Sequence, residues 1–246
     1  MRSKLSFLFL AILLPVVSAC EAGRAGQTAS AEREVAPAAA SVPAPAPRPA
    51  AVSRKAEPLV VFLGDSLTAG LGLAEDQAYP ALLERRLDSG GKPVRVINAG
   101  VSGDTTAGGL ARLDWLLGQK PAVLVVGLGA NDGLRGLPVE ETEKNLREIV
   151  RRAKAAGVHV LLLGMRIPPN YGPDYTRQFE AMYPEIAEDL DVPLVPFLLE
   201  GVGGEAEMNQ ADGIHPTAGG QEVLADNVES YLVEIVNSAA TAAVAP

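Results

Sequence analysis

The chain has 246 residues, of which 48% are hydrophobic and 21% charged, and this allows one folded domain with additional segments. Its formal net charge of −9 argues against nucleic acid as a partner, because proteins bind nucleic acid through basic faces. The chain has two histidines and one cysteine, and a zinc site built from His and Cys needs at least three such ligands, so it would have to use all of them. A single cysteine cannot form a disulfide within the chain.

The first 19 residues have the pattern of a secretory signal peptide. Arg2 and Lys4 precede the apolar run Leu5–Val17, which is shorter than the roughly 20 residues needed to cross a bilayer. The run ends in Val17-Ser18-Ala19-Cys20, which resembles the bacterial lipobox, in which the cysteine is lipidated and becomes the new N-terminus. An ordinary signal peptide with an incidental cysteine is the alternative. We expect Cys20 to anchor the chain in the bacterial cell envelope, facing the periplasm or the outer face of the membrane.

Residues 20–58 are predicted to be a tether. The segment is rich in Ala and Pro and has no apolar periodicity, and the alternation Pro43-Ala44-Pro45-Ala46-Pro47 favours extended polyproline conformations. A folded domain is predicted over residues 59–237, a normal size for one domain. The Ala-rich residues 238–246 are predicted to form a flexible tail.

Short apolar strands alternate with helical patterns through the domain. This alternation predicts a parallel sheet with helices on both faces, and ligands bind such sheets beyond the carboxyl ends of the strands. The predicted strands, most of them with the apolar runs typical of strands buried on both faces, are Leu59–Leu63, Val94–Ile97, Ala122–Leu128, Val158–Leu163 and the shorter Leu194–Val195. The predicted helices are Tyr79–Leu87, Ala107–Leu117, Val139–Ala156, Phe179–Leu190 and Ala218–Val236.

Four polar segments, most of them rich in glycine, lie at the ends of predicted strands or just before a helix. Each has an ordinary explanation by itself: a helix cap at Asp65 or Ser66, turns at the Gly and Asn-Asp positions, and a surface histidine. Together they supply what a serine hydrolase needs, namely a serine, a base, a group that orients the base and donors for an oxyanion. The segments are Gly64–Thr68, Asn98–Thr105, Gly129–Gly133 and Asp212–Pro216.

Only two side chains qualify as an imidazole base. His159 lies within the apolar strand Val158–Leu163, which favours a structural role. His215 lies in a polar loop, and Asp212 precedes it by three residues. That spacing allows the carboxylate to bond one ring nitrogen and leaves the other free to face Ser66.

These segments resemble the four blocks of the GDSL, or SGNH, hydrolase family and occur in the same order. The matching residues are Gly64-Asp65-Ser66-Leu67, Gly103, Asn131 and Asp212-x-x-His215. The resemblance extends over about Leu59–Val236. Longer strings are similar to the bacterial multifunctional thioesterase I, lysophospholipase and arylesterase enzymes: Ser102–Thr105, Gly108–Leu113, Asn131–Gly136, Pro168–Gly172 and Asp212–Pro216.

The resemblance implies an α/β fold, a flavodoxin-like three-layer α/β/α sandwich with about five parallel strands. It makes Ser66 the nucleophile, His215 the base and later the acid, and Asp212 the orienting carboxylate. The backbone N–H groups of Ser66 and Gly103 and the side-chain amide of Asn131 would form the oxyanion hole. No metal or organic cofactor is implied.

Two further positions enter through the resemblance alone. Ala130 stands where close relatives often have glycine, which would alter the pocket locally. Asp132–Pro138 resembles a loop that helps to shape the acyl pocket.

The expected reaction is hydrolysis of carboxylic ester or thioester bonds through an acyl-serine intermediate. The expected substrates are lysophospholipids, aryl or short-to-medium acyl esters, and acyl thioesters. A carbohydrate O-deacetylase is an alternative, because related folds use the same constellation, and a non-catalytic envelope lipoprotein is another. We expect a monomer that meets small-molecule or lipid esters and is held at the membrane by its N-terminal lipid anchor.

Overall fold

A computed structural model of the protein describes residues 57–242. The predicted signal peptide (1–19), the predicted lipidation site Cys20 and all but the last two residues of the predicted tether lie outside the described residues. The hydrogen bonding of the sheet already begins at Pro58, since its carbonyl accepts a hydrogen bond of 3.0 Å from the Arg95 N–H. Among residues 57–242, no helix is both long and apolar enough to cross a membrane.

A five-stranded, wholly parallel sheet forms the centre of the fold, with the strand order β2-β1-β3-β4-β5. This is the flavodoxin-like order, and its topological switch point lies between β1 and β3. All five predicted strands are present, and the predicted fold class is confirmed. The strands are β1 (Leu59–Gly64), β2 (Arg95–Gly100), β3 (Val123–Gly127), β4 (His159–Leu163) and β5 (Leu194–Val195).

The register of the sheet brings three chain segments to one edge. Gly64 at the end of β1 pairs with Gly100 at the end of β2 and with Gly127 at the end of β3. The segments that follow these three glycines therefore start side by side at the carboxyl edge of the sheet, although about 30 residues separate each from the next along the chain.

Helices cover both faces of the sheet: α2 and α7 pack together on one face, while α5 packs against α3 and α6 on the other. Short 3₁₀ turns at Glu75–Gln77 and Pro169–Tyr171 lie between them. The helices are α1 (Ser66–Ala69), α2 (Tyr79–Ser89), α3 (Thr106–Leu117), α4 (Ala130–Leu134), α5 (Val139–Ala155), α6 (Pro173–Leu190) and α7 (Ala218–Ala242).

The strands differ in burial according to their place in the sheet. The residues of β1 and β3 are buried throughout, as their continuous apolar runs predict. The prediction that the second strand is also buried on both faces is wrong. β2 is an edge strand, and from Val96 to Gly100 its residues are only partly buried, because no further strand pairs with its outer side.

Two helix boundaries also differ from the prediction. α6 begins at Pro173 rather than at Phe179, and a proline in the first turn suits a helix start because its missing N–H has no acceptor there. α7 continues to Ala242, past the predicted end of the domain at Asn237. Ala239 is buried against the core, which explains why the helix extends into the segment that was predicted to be a flexible tail.

Candidate active site

The turn from β1 into α1 presents Ser66 at the carboxyl edge of the sheet. Asp65 is the N-cap of α1, and its Oδ1 accepts a hydrogen bond of 3.0 Å from the Leu67 N–H. Ser66 is the first helical residue. Glycine is required two residues before Ser66, since a Cβ on Gly64 would lie 2.0 Å from Thr68 Oγ1. Helix capping and presentation of the serine, which the sequence offered as alternatives, thus occur together.

Ser66, His215 and Asp212 form a continuous hydrogen-bonded chain. Ser66 Oγ lies 2.8 Å from His215 Nε2, and His215 Nδ1 lies 2.7 Å from Asp212 Oδ2. The other carboxylate oxygen, Asp212 Oδ1, accepts 3.0 Å hydrogen bonds from the N–H groups of Ile214 and His215. The loop therefore holds the carboxylate against the imidazole ring from two sides.

The ionisation of Asp212 determines the tautomer of the histidine. Its hydrogen bonds with His215 and with the backbone lower the pKa of the Asp212 carboxyl to about 2, so the group is an anion near neutral pH. A carboxylate only accepts hydrogen bonds, so Nδ1 of His215 carries the proton that points at Asp212. In the neutral ring Nε2 is then an acceptor, and Ser66 Oγ donates its hydroxyl proton to it.

Three possible donors for an oxyanion line the space next to Ser66 Oγ. The Ser66 N–H belongs to the first turn of α1, where an N–H group has no intrahelical acceptor. Gly103 lies in the turn after β2 with φ +80°, a conformation that favours glycine, and its carbonyl accepts a 2.7 Å hydrogen bond from Arg135 Nη2. Asn131 is the second residue of α4, and all three residues line the same cavity.

A buried carboxylate joins the two loops that carry Gly103 and Asn131. Asp132, next to Asn131, is buried, and its oxygens accept hydrogen bonds from the Thr106 N–H (2.9 Å) and Thr106 Oγ1 (2.6 Å). Thr106 begins α3, three residues after Gly103. Because Asp132 fastens α4 to the start of α3, it sets the spacing between the two proposed donors.

Asp65 adds a second buried carboxyl group beside Ser66. It is 1% exposed, and burial raises its pKa to about 6, although the Leu67 N–H and the positive charge that His215 acquires on protonation act in the opposite direction. Its Oδ2 accepts a long hydrogen bond of 3.4 Å from Asn131 Nδ2. The residue therefore contacts both the start of α1 and the amide of Asn131.

A cavity of about 600 Å³ opens from Ser66 along the carboxyl edge of the sheet. Its walls are mainly apolar, and Arg166 is a cationic side chain among them, with its guanidinium 4.7 Å from the centre of the Phe197 ring. Leu134, from the segment Asp132–Pro138 that is predicted to shape the acyl pocket, lines the cavity. Ala130, which precedes that segment, lines it as well. The other large apolar lining residues include Leu71, Met165, Ile167, Phe197, Leu199 and Ile214.

The structure brings the predicted site residues together and separates one histidine from them. Ser66, Gly103, Asn131 and His215 all line the cavity, and Asp212 supports His215 from behind. His159 begins β4 at the opposite edge of the sheet, where it lines a different cavity of about 610 Å³.

Several residues of the site have no clear signal in the local sequence. The sequence indicates Asp65 only as a helix cap, and no motif marks the cavity walls built by Met165, Ile167, Phe197 and Leu199. Their positions just after β4 and β5, at the carboxyl edge of a parallel sheet, were the available signal.

Comparison with known proteins agrees with this geometry. Residues 62–223 match the model of the GDSL-like Lipase/Acylhydrolase family. The chain is 51% identical over 174 residues to Esterase TesA of Pseudomonas aeruginosa, covering 70% of this chain and 86% of that protein. It is 44% identical over 179 residues to Thioesterase 1/protease 1/lysophospholipase L1 of Escherichia coli strain K12, covering 72% of this chain and 85% of that protein.

A solved structure extends the likeness to the fold. The psychrotrophic esterase EstA from Pseudoalteromonas sp., in a structure inhibited by monoethylphosphonate, superimposes with a TM-score of 0.70 at 35% identity. The match covers 74% of this chain and 100% of that one. With the sheet order, the serine-histidine-aspartate geometry and these matches in agreement, the chain belongs to the GDSL-like lipase/acylhydrolase family.

Proposed function

We propose that the protein is a serine esterase that hydrolyses carboxylic ester and thioester bonds through an acyl-serine intermediate. The observation that carries the proposal is the unbroken chain from Ser66 Oγ through His215 to Asp212, with distances of 2.8 and 2.7 Å, at the mouth of an apolar cavity. The names of the relatives, which describe an esterase, a thioesterase and a lysophospholipase, agree with it.

Acylation begins when Ser66 Oγ attacks the carbonyl carbon and its proton passes to His215 Nε2. The carbonyl oxygen becomes an oxyanion, which the N–H groups of Ser66 and Gly103 and the Asn131 amide stabilise. Asp212 stabilises the imidazolium that forms. The bond to the leaving oxygen or sulfur then breaks, the leaving group takes the proton from Nε2, and the acyl group remains on Oγ.

Deacylation repeats the same steps with water as the nucleophile. His215 Nε2 takes a proton from water, whose oxygen attacks the acyl carbon, and the second oxyanion occupies the same donors. When the intermediate collapses, Ser66 Oγ leaves and recovers its proton from Nε2. The base must be neutral in both halves of the cycle, because only a neutral Nε2 can accept the proton of Ser66 or of water.

The cavity favours esters with an apolar acyl chain. Its lining is mostly aliphatic and aromatic, and a volume of about 600 Å³ is within the range of small-molecule sites. Lysophospholipids and fatty acyl thioesters have such acyl groups, and aryl esters have an apolar leaving group, whereas an acetylated sugar would bring hydroxyl groups against apolar walls. We therefore place acyl esters ahead of carbohydrate O-acetyl groups as substrates.

The experiment for this proposal compares the wild type with Ser66→Ala. We expect a fluorophosphonate probe to label the wild type and not the variant, and turnover of p-nitrophenyl esters to be lost without unfolding, because the change removes one small side chain. A panel of lysophospholipids, p-nitrophenyl esters of graded length, acyl-CoA and acetylated sugars identifies the substrate class. Near-normal esterase activity in pure Ser66→Ala protein would refute the assignment, and absence of labelling in the wild type would favour a non-catalytic lipoprotein.

We also propose that Cys20 carries a lipid anchor that holds the enzyme in the bacterial cell envelope, facing the periplasm. The support is the sequence Val17-Ser18-Ala19-Cys20 after an apolar run, followed by an Ala/Pro-rich tether that gives the domain reach. An acidic chain gains little from an anionic lipid surface, whereas several acyl chains anchor a protein stably.

Growth with labelled fatty acid followed by detergent phase separation tests the anchor. The wild type is expected to carry the label and enter the detergent phase, and Cys20→Ala to lose the label. An unlabelled wild-type protein in the aqueous phase would make Cys20 incidental.

A further inference from the structure

Exposed apolar side chains are concentrated around the mouth of the catalytic cavity. Among residues 57–242, five large hydrophobic side chains are exposed. Leu71, Leu134 and Ile214, which are 39% to 50% exposed, line the cavity mouth, and Val101, 48% exposed, precedes the lining residue Ser102. We call Leu71, Val101, Leu134 and Ile214 the apolar rim. They come from four different segments, so local sequence composition does not explain their convergence.

The fifth exposed residue lies elsewhere. Trp115 is 65% exposed near the C-terminal end of α3. Crossover helices run antiparallel to the strands they connect, so this end of α3 lies at the opposite edge of the sheet from Ser66. Trp115 is therefore a natural control for exposed apolar surface that does not surround the site.

Cationic groups accompany the apolar rim on a chain whose net charge is −9. Arg135 follows Leu134 and donates to the Gly103 carbonyl, and Arg166 lies in the cavity wall. Arg166 is also paired with Glu180 (2.9 Å) and, more loosely, with Glu200 (3.9 Å). Because these carboxylates already balance the charge of Arg166, Arg135 is the cation that can meet an anionic group. Guanidinium groups bind phosphate oxygens in a fork geometry, so apolar side chains beside Arg135 match the interface of a phospholipid layer.

We propose that the apolar rim docks the domain onto the surface of a phospholipid bilayer, with the four side chains entering the acyl region and Arg135 facing the phosphates. The cavity mouth then opens directly into the lipid, so an ester with a long acyl chain enters without crossing water. The entry of a lipid ester from the bilayer into the cavity rests on the proposed function, because it requires the cavity to receive such a substrate. The docking itself does not depend on catalysis.

Vesicle binding by a catalytically silent protein tests the docking. The experiment uses the chain from Glu21 to Pro246 carrying Ser66→Ala, which lacks the predicted signal peptide and Cys20. Within residues 57–242 the buried core runs from Leu59 to Ala239, and the solved chain of EstA is matched over its full length by 74% of this chain. Co-sedimentation with palmitoyl-oleoyl-phosphatidylcholine vesicles gives the partition coefficient, and circular dichroism checks that each variant is folded.

The parent protein is expected to bind these vesicles. Each of Val101→Ser and Ile214→Ser should weaken partitioning about tenfold, because each removes a side chain of the size whose burial is worth roughly one such factor. Trp115→Ser should bind like the parent. The proposal is overturned if the parent stays in solution, if the Val101 and Ile214 variants bind as tightly as the parent, or if Trp115→Ser weakens binding as much as they do. Hydrolysis of a water-soluble p-nitrophenyl ester by the wild type is measured separately, and its absence would refute the proposed function while leaving the docking result intact.

Discussion

Replacing Asp65 by asparagine tests the energetic role of the carboxyl group buried beside the nucleophile. Burial raises the pKa of this carboxyl from 3.8 to about 6 in the folded protein. A carboxyl that binds its proton more tightly in the folded state favours folding at low pH and opposes it when ionised. Its effect on the free energy of unfolding is therefore most favourable below pH 3.8 and is lost as the pH rises to about 6.

The magnitude follows from the two pKa values. Each pH unit between them contributes about 1.4 kcal/mol, so ionising Asp65 in the folded protein costs about 3 kcal/mol relative to the unfolded chain. Asparagine is close in size and keeps an oxygen to cap the Leu67 N–H. In the wild type, Asp65 Oδ2 accepts a hydrogen bond from Asn131 Nδ2, and in the variant the asparagine amide nitrogen, itself a donor, takes the place of that oxygen. Two donors then face each other, which lowers the stability of the variant by an amount that does not vary with pH.

The assay is urea unfolding followed by circular dichroism at several pH values between 4 and 8. The difference in unfolding free energy, Asp65→Asn minus wild type, should increase by about 2 to 3 kcal/mol from pH 4 to pH 7. Asp212→Asn is the control, because the Asp212 carboxyl has a pKa of about 2 in the folded protein and an ordinary value of 3.8, so it is ionised in both states above pH 5. A difference for Asp65→Asn that stays constant from pH 4 to pH 7 would refute the reasoning.

Three further predictions concern the site itself. Asn131→Ala should lower kcat about 100- to 1000-fold with little change in KM, because the amide acts mainly on the oxyanion; a loss mainly in KM would make Asn131 a ground-state binding residue. Asp212→Asn should lower kcat while Ser66 still reacts slowly with a fluorophosphonate, since the histidine loses the partner that sets its tautomer; unchanged kcat would contradict this. Asp132→Ala should lower the stability by about 1 to 3 kcal/mol, because Thr106 loses its buried acceptor, and thermal unfolding measures this loss. The same variant should lower kcat, measured on the same sample, because the loops that carry Gly103 and Asn131 are no longer held together.

The sequence by itself determined the class of fold and the chemical components of the site. Continuous apolar runs such as Leu59–Leu63 and Ala122–Leu128 are typical of strands covered on both faces, and their alternation with helical patterns predicted a parallel sheet. The chain contains only two histidines, and the apolar surroundings of His159 left His215 as the base. The spacing of Asp212 and His215 within one loop likewise predicted their contact, because it is local.

Only the tertiary structure decided the arrangements that join distant parts of the chain. Ser66 and His215 are 149 residues apart, and the contact between Asp65 and Asn131 spans 66 residues. Their distances follow from the strand order and register, which no local pattern specifies. The partial exposure of β2, the helical extension to Ala242 and the convergence of the apolar rim have the same origin. Local preferences determine which segments form strands and helices, whereas burial and proximity depend on which segments become neighbours when the sheet assembles.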